Sequence, residues 1–171
     1  MGLPEIFISF QTAAVSAITR SARGVLAVAV QDATEGGAAE AAYKSLAEVP
    51  EDKFSPENYR LLKLAFLAAP TKVWVLRVGE DAEKTYQALE RLRFDWLAAP
   101  GLDDAKVMSF IKTLRNGGRG VKAVVANATA PDCEGIVNLC VSGLTLEDGA
   151  MEAKEYAVRV AALLAALPLT R

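Results

Sequence analysis

The sequence predicts an α/β domain built on a mainly parallel β-sheet with flanking helices. Three short apolar segments, rich in β-branched and aromatic residues, occupy residues 72–78, 94–98 and 121–126. Two segments with helical spacing of their apolar residues, 81–92 and 103–114, separate them. Strands that alternate with helices of this length form βαβ units with parallel strands. The fold class alone does not define a function, because such sheets support many.

Length and composition are those of one globular domain. The chain has 171 residues, of which 52% are hydrophobic and 23% charged, and its formal net charge is −2. We therefore expect no binding to nucleic acid and no insertion into a membrane. The longest apolar run, residues 161–169, is too short to span a bilayer. The N-terminus lacks the basic start of a secretory signal.

Histidine is absent from the sequence. This excludes Ser-His-Asp and Cys-His catalytic units and histidine-based metal sites. Cys133 and Cys140 do not form a CxxC motif, and we expect both to be buried thiols in a reducing compartment. The sequence therefore predicts a protein that is not an enzyme and that uses no cofactor and no metal.

The first twenty residues precede the predicted domain. Residues 25–30 form a near-continuous apolar run, which is typical of a strand buried on both faces, so the domain begins near Arg23. Further upstream, alternation of apolar side chains predicts an extended strand, made of Glu5, Ile6, Phe7, Ile8, Ser9 and Phe10. An apolar strand outside the core must pair with an edge of its own sheet or of another subunit.

The other elements follow in chain order. Residues 34–48 form a loop with either a short helix or an edge strand. Ser55 is a plausible N-cap and Pro56 occupies the first helical position, so a helix starts there, stays mostly buried and stops at Pro70. The remaining predictions are a fourth sheet strand at 136–140, a hairpin at 144–153, and a helix at 155–167 that buries Tyr156, Val160, Leu163, Leu164 and Leu167.

Two acidic turns are the nearest approach to a ligand site. Glu80-Asp81 and Asp103-Asp104 follow predicted strands, where carboxylates could hold Mg²⁺ or simply cap the helices that begin there. The glycine-rich residues 117–120 lead into a strand rather than following one, so a helix–strand connection is a better interpretation than a phosphate loop. The acidic turns leave open an alternative function, a small-ligand or signalling α/β domain with a magnesium-type site.

Three segments carry a family resemblance. The first is residues 2–33, in which residues 21–24 (SARG) lead into the apolar strand. The second combines residues 94–104, VKAVVAN at 121–127 and EGIVN at 134–138; the third is AVRVAALLAALPLTR at 157–171. Together they resemble contractile phage tail sheath proteins, in the compact form found in Clostridium-type phage tails and phage-tail-like bacteriocins.

The resemblance implies a structural subunit. Tail sheath proteins polymerise as helically stacked rings around a tail tube and contract to drive the tube through the target cell envelope. The resemblance also implies an arm at residues 1–20 that exchanges its strand, residues 5–10, with a neighbouring copy. The α/β sheath domain would then comprise residues 21–171. The arm–domain junction would consist of Arg20, Ser21, Arg23 and Gly24.

The implied partners are other copies of the same chain and a tail tube protein. In the family, the tube contact belongs to a C-terminal domain that follows the segment resembled here and is absent from this sequence. The implied location is a phage tail or phage-tail-like particle, assembled in the bacterial cytoplasm without a secretion signal.

Overall fold

The structure, a computed structural model, describes residues 24–127, 131–146 and 149–167. The arm at residues 1–20 therefore lies outside the described residues. The described strands are β1 Val25–Gln31, β2 Glu40–Tyr43, β3 Lys72–Val78, β4 Trp96–Ala98, β5 Lys122–Val125, β6 Ile136–Asn138, β7 Leu144–Leu146 and β8 Gly149–Met151. The described α-helices are α1 Pro56–Phe66, α2 Ala82–Arg91, α3 Asp104–Asn116 and α4 Ala153–Ala166, and short 3₁₀ turns cover Leu46–Glu48 and Glu51–Lys53.

Six strands form one mainly parallel sheet in the order β2-β3-β1-β4-β5-β6. The five strands from β3 to β6 in that order run parallel, and only β2 pairs antiparallel, with β3 at one edge. The predicted α/β fold class is confirmed. The predicted hairpin is also present, since β7 pairs antiparallel with β8.

The sheet is buried on both faces. Leu26, Val28 and Val30 of β1 contact the core beneath α1 and α4, while Ala27 and Ala29 contact the core beneath α2 and α3. All five side chains are at most 1% exposed. This two-sided burial is the physical reason why β1 reads as a continuous apolar run rather than an alternating one.

Helix α1 begins as predicted but is less buried than predicted. The Ser55 hydroxyl accepts a hydrogen bond from the Asn58 backbone N–H at 3.3 Å, and Pro56 opens the helix. Only one side of the helix is buried, and the helix ends at Phe66 rather than near Pro70. Within the helix only Pro56, Glu57 and Lys63 are exposed, but Leu67, which the prediction placed in the buried helix, follows it and is 68% exposed.

Helix α4 buries a different face from the predicted one. Its buried residues are the small ones, Ala157, Val158, Ala161, Ala162 and Ala165. An alanine stripe lets the helix backbone approach the sheet and α1 closely. Of the predicted core residues, Tyr156, Val160 and Leu164 are half-buried and pack against the same core. The prediction was wrong for Leu163 and Leu167, which are exposed, because it weighed side-chain size and ignored the alanine spacing.

Two further expectations concern residues at the two outer strands of the sheet, β2 and β6. Residues 34–48 contain both alternatives, the edge strand β2 and the 3₁₀ turn Leu46–Glu48. Cys140 is exposed and Cys133 is half-buried, so the expectation of two buried thiols was wrong. Both cysteines flank β6, the outermost strand on its side, where Cys133 packs against the margin of the core and Cys140 is exposed.

Candidate assembly surface

The described chain begins at the amino edge of the sheet, where the parallel strands start. The backbone N–H of Gly24 donates to the Ala165 carbonyl at 2.6 Å, and the Gly24 carbonyl accepts from the Thr71 N–H at 3.2 Å. Gly24 therefore lies between the end of α4 and the start of β3. Gly24 and Leu167, the first and last described residues, therefore both lie at this edge.

Gly24 is closely packed, and a larger residue there would press on its neighbours. A Cβ atom added to it would lie 3.0 Å from Asp95 Oδ2 and 3.1 Å from the Ala165 carbonyl oxygen. Asp95 is itself fixed, because its carboxylate accepts the Val25 N–H at 2.7 Å and its backbone N–H donates to the Val25 carbonyl at 2.9 Å. Gly24 is the described member of the predicted junction, and Arg20, Ser21 and Arg23 lie outside the described residues, as do residues 5–10.

Exposed apolar side chains surround this point. Leu67 at the end of α1 is 68% exposed, and Leu163 and Leu167 at the end of α4 are 44% and 58% exposed. The two helices are neighbours, since Arg159 of α4 donates to the Leu64 carbonyl of α1 at 3.2 Å. Sequence reasoning missed this surface because it assigned the leucines to the core. The alanine stripe of α4 was the signal that could have found it.

At the opposite, carboxyl edge, a loop closes over the end of β1. The Gly101 N–H donates to the Ala29 carbonyl at 3.0 Å, and a Cβ on Gly101 would lie 2.5 Å from the Gln31 nitrogen. The cavity beside this loop has a volume of about 170 Å³, below the range of about 300–1,000 Å³ usual for ligand pockets. A second cavity, of about 540 Å³, lies at the end of β3 and is lined in part by Glu80 and Asp81. The loop therefore covers the end of β1, where open α/β sheets usually hold ligands, and leaves the end of β3 open.

A buried carboxylate stabilises the same edge. Asp32 follows β1, and its side chain is 0% exposed. It accepts backbone hydrogen bonds from Thr34 and Ser55, both at 2.9 Å, and a side-chain bond from Asn58 at 2.8 Å. Burial by itself would raise the pKa of Asp32, but these hydrogen bonds outweigh it and hold the pKa well below its usual range.

Arg77 of β3 pairs with this carboxylate. Its guanidinium lies 3.6 Å from Asp32 Oδ1 and is 9% exposed. It also donates to the Thr34 carbonyl at 2.7 Å and to the Lys53 carbonyl, and it stacks over the Phe54 ring at 4.6 Å. The pair joins β1, β3 and the segment that precedes α1. Sequence reasoning missed it, because residues 32 and 77 meet only in the folded sheet.

The acidic turns act as helix caps. Asp81 Oδ1 accepts the Glu83 N–H at 3.1 Å, and Asp103 Oδ1 accepts the Lys106 N–H at 3.0 Å. Because β1 separates β3 from β4, the two turns follow strands that are not neighbours. In the part of the chain that the structure describes, no group of three or more His, Cys, Asp or Glu residues could hold a metal ion.

The two edges differ in charge. Most exposed ionic side chains in the loops and helix starts of the carboxyl edge are acidic, namely Glu35, Glu51, Asp52, Glu57, Glu80, Asp81, Glu83, Asp103 and Glu152. At the amino edge the exposed ionic side chains are of both signs, namely Lys44, Lys63, Arg91, Arg93 and Lys122 with Glu48, Glu90, Asp95 and Glu134. Burial, together with the carboxylates of Asp103, Glu83 and Asp104, raises the pKa of Tyr86 to about 12. The polarity follows the helix dipoles, which favour anions at helix starts.

Comparison with known proteins supplies the family. The chain is 31% identical, over 187 aligned positions, to a tail sheath protein of Clostridium phage phiCD119, and the match covers 99% of this chain. The chain is related to tail sheath proteins. The sequence resemblance is thereby confirmed, although no family model matches the sequence. The chain spans about half the length of this curated relative, since the match covers 50% of it.

Two solved sheath tail proteins share the fold. The Listeria innocua protein aligns with a TM-score of 0.69 at 16% identity, over 89% of this chain and 60% of its own. The Desulfitobacterium hafniense protein aligns with a TM-score of 0.68 at 15% identity, over 96% of this chain and 62% of its own. The tail sheath proteins to which the chain is related are structural components, in agreement with the prediction that it is not an enzyme.

The amino edge is the candidate assembly surface of this domain. There the domain presents exposed leucines and the point at which residues 1–23 join it. Among the described residues, no helix is long and apolar enough to cross a membrane.

Proposed function

We propose that this chain is a subunit of a contractile tail sheath. Copies polymerise as helically stacked rings around a tail tube, and contraction of the sheath drives the tube through the target cell envelope. The similarity to a tail sheath protein over 99% of the chain carries this proposal. The chain spans half of that relative, so we assign contact with the tail tube protein to sequence outside the match.

The subunits are linked by strand addition. Residues 5–10 of one copy add to a sheet of a neighbouring copy through main-chain hydrogen bonds, with alternate side chains filling apolar pockets. The bonds from Gly24 to Ala165 and Thr71 support this role, because they give the arm a fixed starting point on the domain. The arm then transmits force between domains that keep their own fold.

The charge of the carboxyl edge limits how copies can stack. Contact between the carboxyl edges of two copies is disfavoured, because most exposed ionic side chains there are acidic. During contraction the domains move as rigid bodies, because a packed hydrophobic core covers each face of the sheet. The energy is stored in the extended lattice and no nucleotide is consumed. The particle is a phage tail or phage-tail-like particle, assembled in the bacterial cytoplasm.

Deletion of residues 1–18 tests the linkage. We expect the truncated chain to keep its circular dichroism spectrum and a cooperative melting transition but to lose concentration-dependent oligomers in sedimentation velocity. The matched controls are Ile8→Asp, which should abolish oligomers in the full chain, and Ser9→Ala, which should not. If the deletion unfolds the domain, residues 5–10 belong to the sheet of their own chain and the exchange proposal fails.

A further inference from the structure

A groove opens at the amino edge, between the 3₁₀ turn Leu46–Glu48 and the end of α1. Its volume is about 770 Å³, which is within the range of ligand pockets. Its apolar lining residues are Leu46, Phe66, Leu67, Ala69 and Pro70, and its polar ones are Lys44, Ser45, Glu48, Lys63 and Thr71. The groove can therefore hold apolar side chains of a peptide segment, with polar groups along its wall.

Leu67, in the wall of the groove, is the most exposed large hydrophobic side chain among the described residues. Leu67 is 68% exposed, more than Leu167 at 58% or Leu163 at 44%. Covering apolar surface stabilises a protein by about 25 cal/mol per Å². A segment that covers Leu67 would therefore gain stability from contacts that the described residues do not supply.

The chain itself brings such a segment to the groove. Thr71, a lining residue, donates its N–H to the Gly24 carbonyl at 3.2 Å, so residues 1–23 join the domain beside the groove. Residues 19–23 (TRSAR) are mostly polar, and the nearest large apolar side chains upstream are Ile18 and Val15. Six extended residues reach about 20 Å, which is ample for a groove adjacent to Gly24.

We infer that residues 13–18 (AAVSAI) of the same chain occupy this groove, with Ile18 and Val15 covering Leu67 and Phe66. This inference adds to the proposed function and does not depend on it, because the segment would fill the groove even in a chain that never polymerises. Docking would direct residues 5–10 toward the β2 side of the sheet. It would also divide the arm into a fixed base and a free strand.

Cysteine cross-linking tests the inference directly. In the full chain carrying Cys133→Ser and Cys140→Ser, we would introduce Ile18→Cys with Leu67→Cys. Mild oxidation should give an intramolecular disulfide, seen as a faster-migrating band at the monomer mass. The control pair combines Ile18→Cys with Val137→Cys. Val137 is 38% exposed and lies on β6, the outer strand on the side of the sheet away from β2. The two cysteines of this pair should remain unlinked within the chain.

Three results would overturn the inference. A cross-link found only at the dimer mass would show that another copy fills the groove. No cross-link, with a melting temperature unchanged in the reduced variant, would show that the segment lies elsewhere. Equal linking of the control pair would show that the segment has no preferred site. None of these results decides whether residues 5–10 link subunits, which the deletion experiment measures separately.

A second measurement does not require a disulfide. Trypsin cleaves after Arg20 and Arg23, which immediately follow the docked segment. Leu67→Asp should make cleavage after Arg20 roughly fivefold faster, because it weakens docking by a modest amount. Leu163→Asp, at an exposed leucine outside the groove lining, is the matched control and should leave the cleavage rate unchanged. Equal rates in the two variants would contradict docking at Leu67.

Discussion

The carboxyl and amino edges of the sheet differ in how far contacts within the domain pair their polar groups and cover their apolar ones. At the carboxyl edge, Asp32 and Arg77 bind each other and nearby backbone, Gly101 closes over β1, and Asp81 and Asp103 cap helices. At the amino edge, leucines remain exposed beside the point where residues 1–23 join the domain. Most of these groups at the carboxyl edge therefore stabilise the domain itself, whereas the described residues leave the leucines of the amino edge exposed.

The largest effect should come from breaking the carboxyl edge. Asp32→Asn removes the charge that pairs with the buried Arg77 guanidinium and should lower the free energy of unfolding by about 3–5 kcal/mol. Urea denaturation measures this loss. The control is Glu35→Gln, an exposed carboxylate on the same loop, for which we expect a change of about 0.5 kcal/mol or less. A similar small loss for Asp32→Asn would show that the network contributes little.

The same carboxylate should make stability depend on acid. Because the pKa of Asp32 is held below its usual range in the folded chain, its contribution is fully present above about pH 4. It is lost as the pH falls from there through the folded-state pKa. Denaturation curves between pH 7 and pH 2 should show a steeper loss below about pH 4 in the parent chain than in Asp32→Asn. Parallel curves would contradict this account.

A smaller effect is expected at the amino edge. Gly24→Ala places a Cβ against Asp95 and the Ala165 carbonyl and should cost about 1–2 kcal/mol of stability. Gly120→Ala is the matched control, since a Cβ there would meet nothing within 4 Å. Thermal melts of both variants measure the difference. If Gly24→Ala is as stable as Gly120→Ala, the close approach at the junction does not constrain the sequence.

The smallest expected effect concerns magnesium. The acidic turns are already used as helix caps, so millimolar Mg²⁺ should leave the melting temperature unchanged. A rise of several degrees that disappears in Asp103→Asn would instead favour the small-ligand alternative and contradict the assignment of these carboxylates to helix capping alone.

The sequence predicted the features that depend on local pattern. Apolar runs located the strands, and Ser55 with Pro56 located the start of α1, because capping and periodicity act over a few residues. The Asp32–Arg77 pair could not be predicted, since it joins neighbouring strands that are distant in sequence. The exposed leucines of α4 were missed for another reason, since the close approach of the alanine stripe to the sheet decides which face is buried.

The location of residues 5–10 in an assembled particle tests the central claim most directly. Electron cryomicroscopy of the sheath that contains this chain would show it, together with the path of residues 13–18. We predict that residues 5–10 form a strand in the sheet of a neighbouring subunit. A strand paired with the sheet of its own subunit would contradict the account.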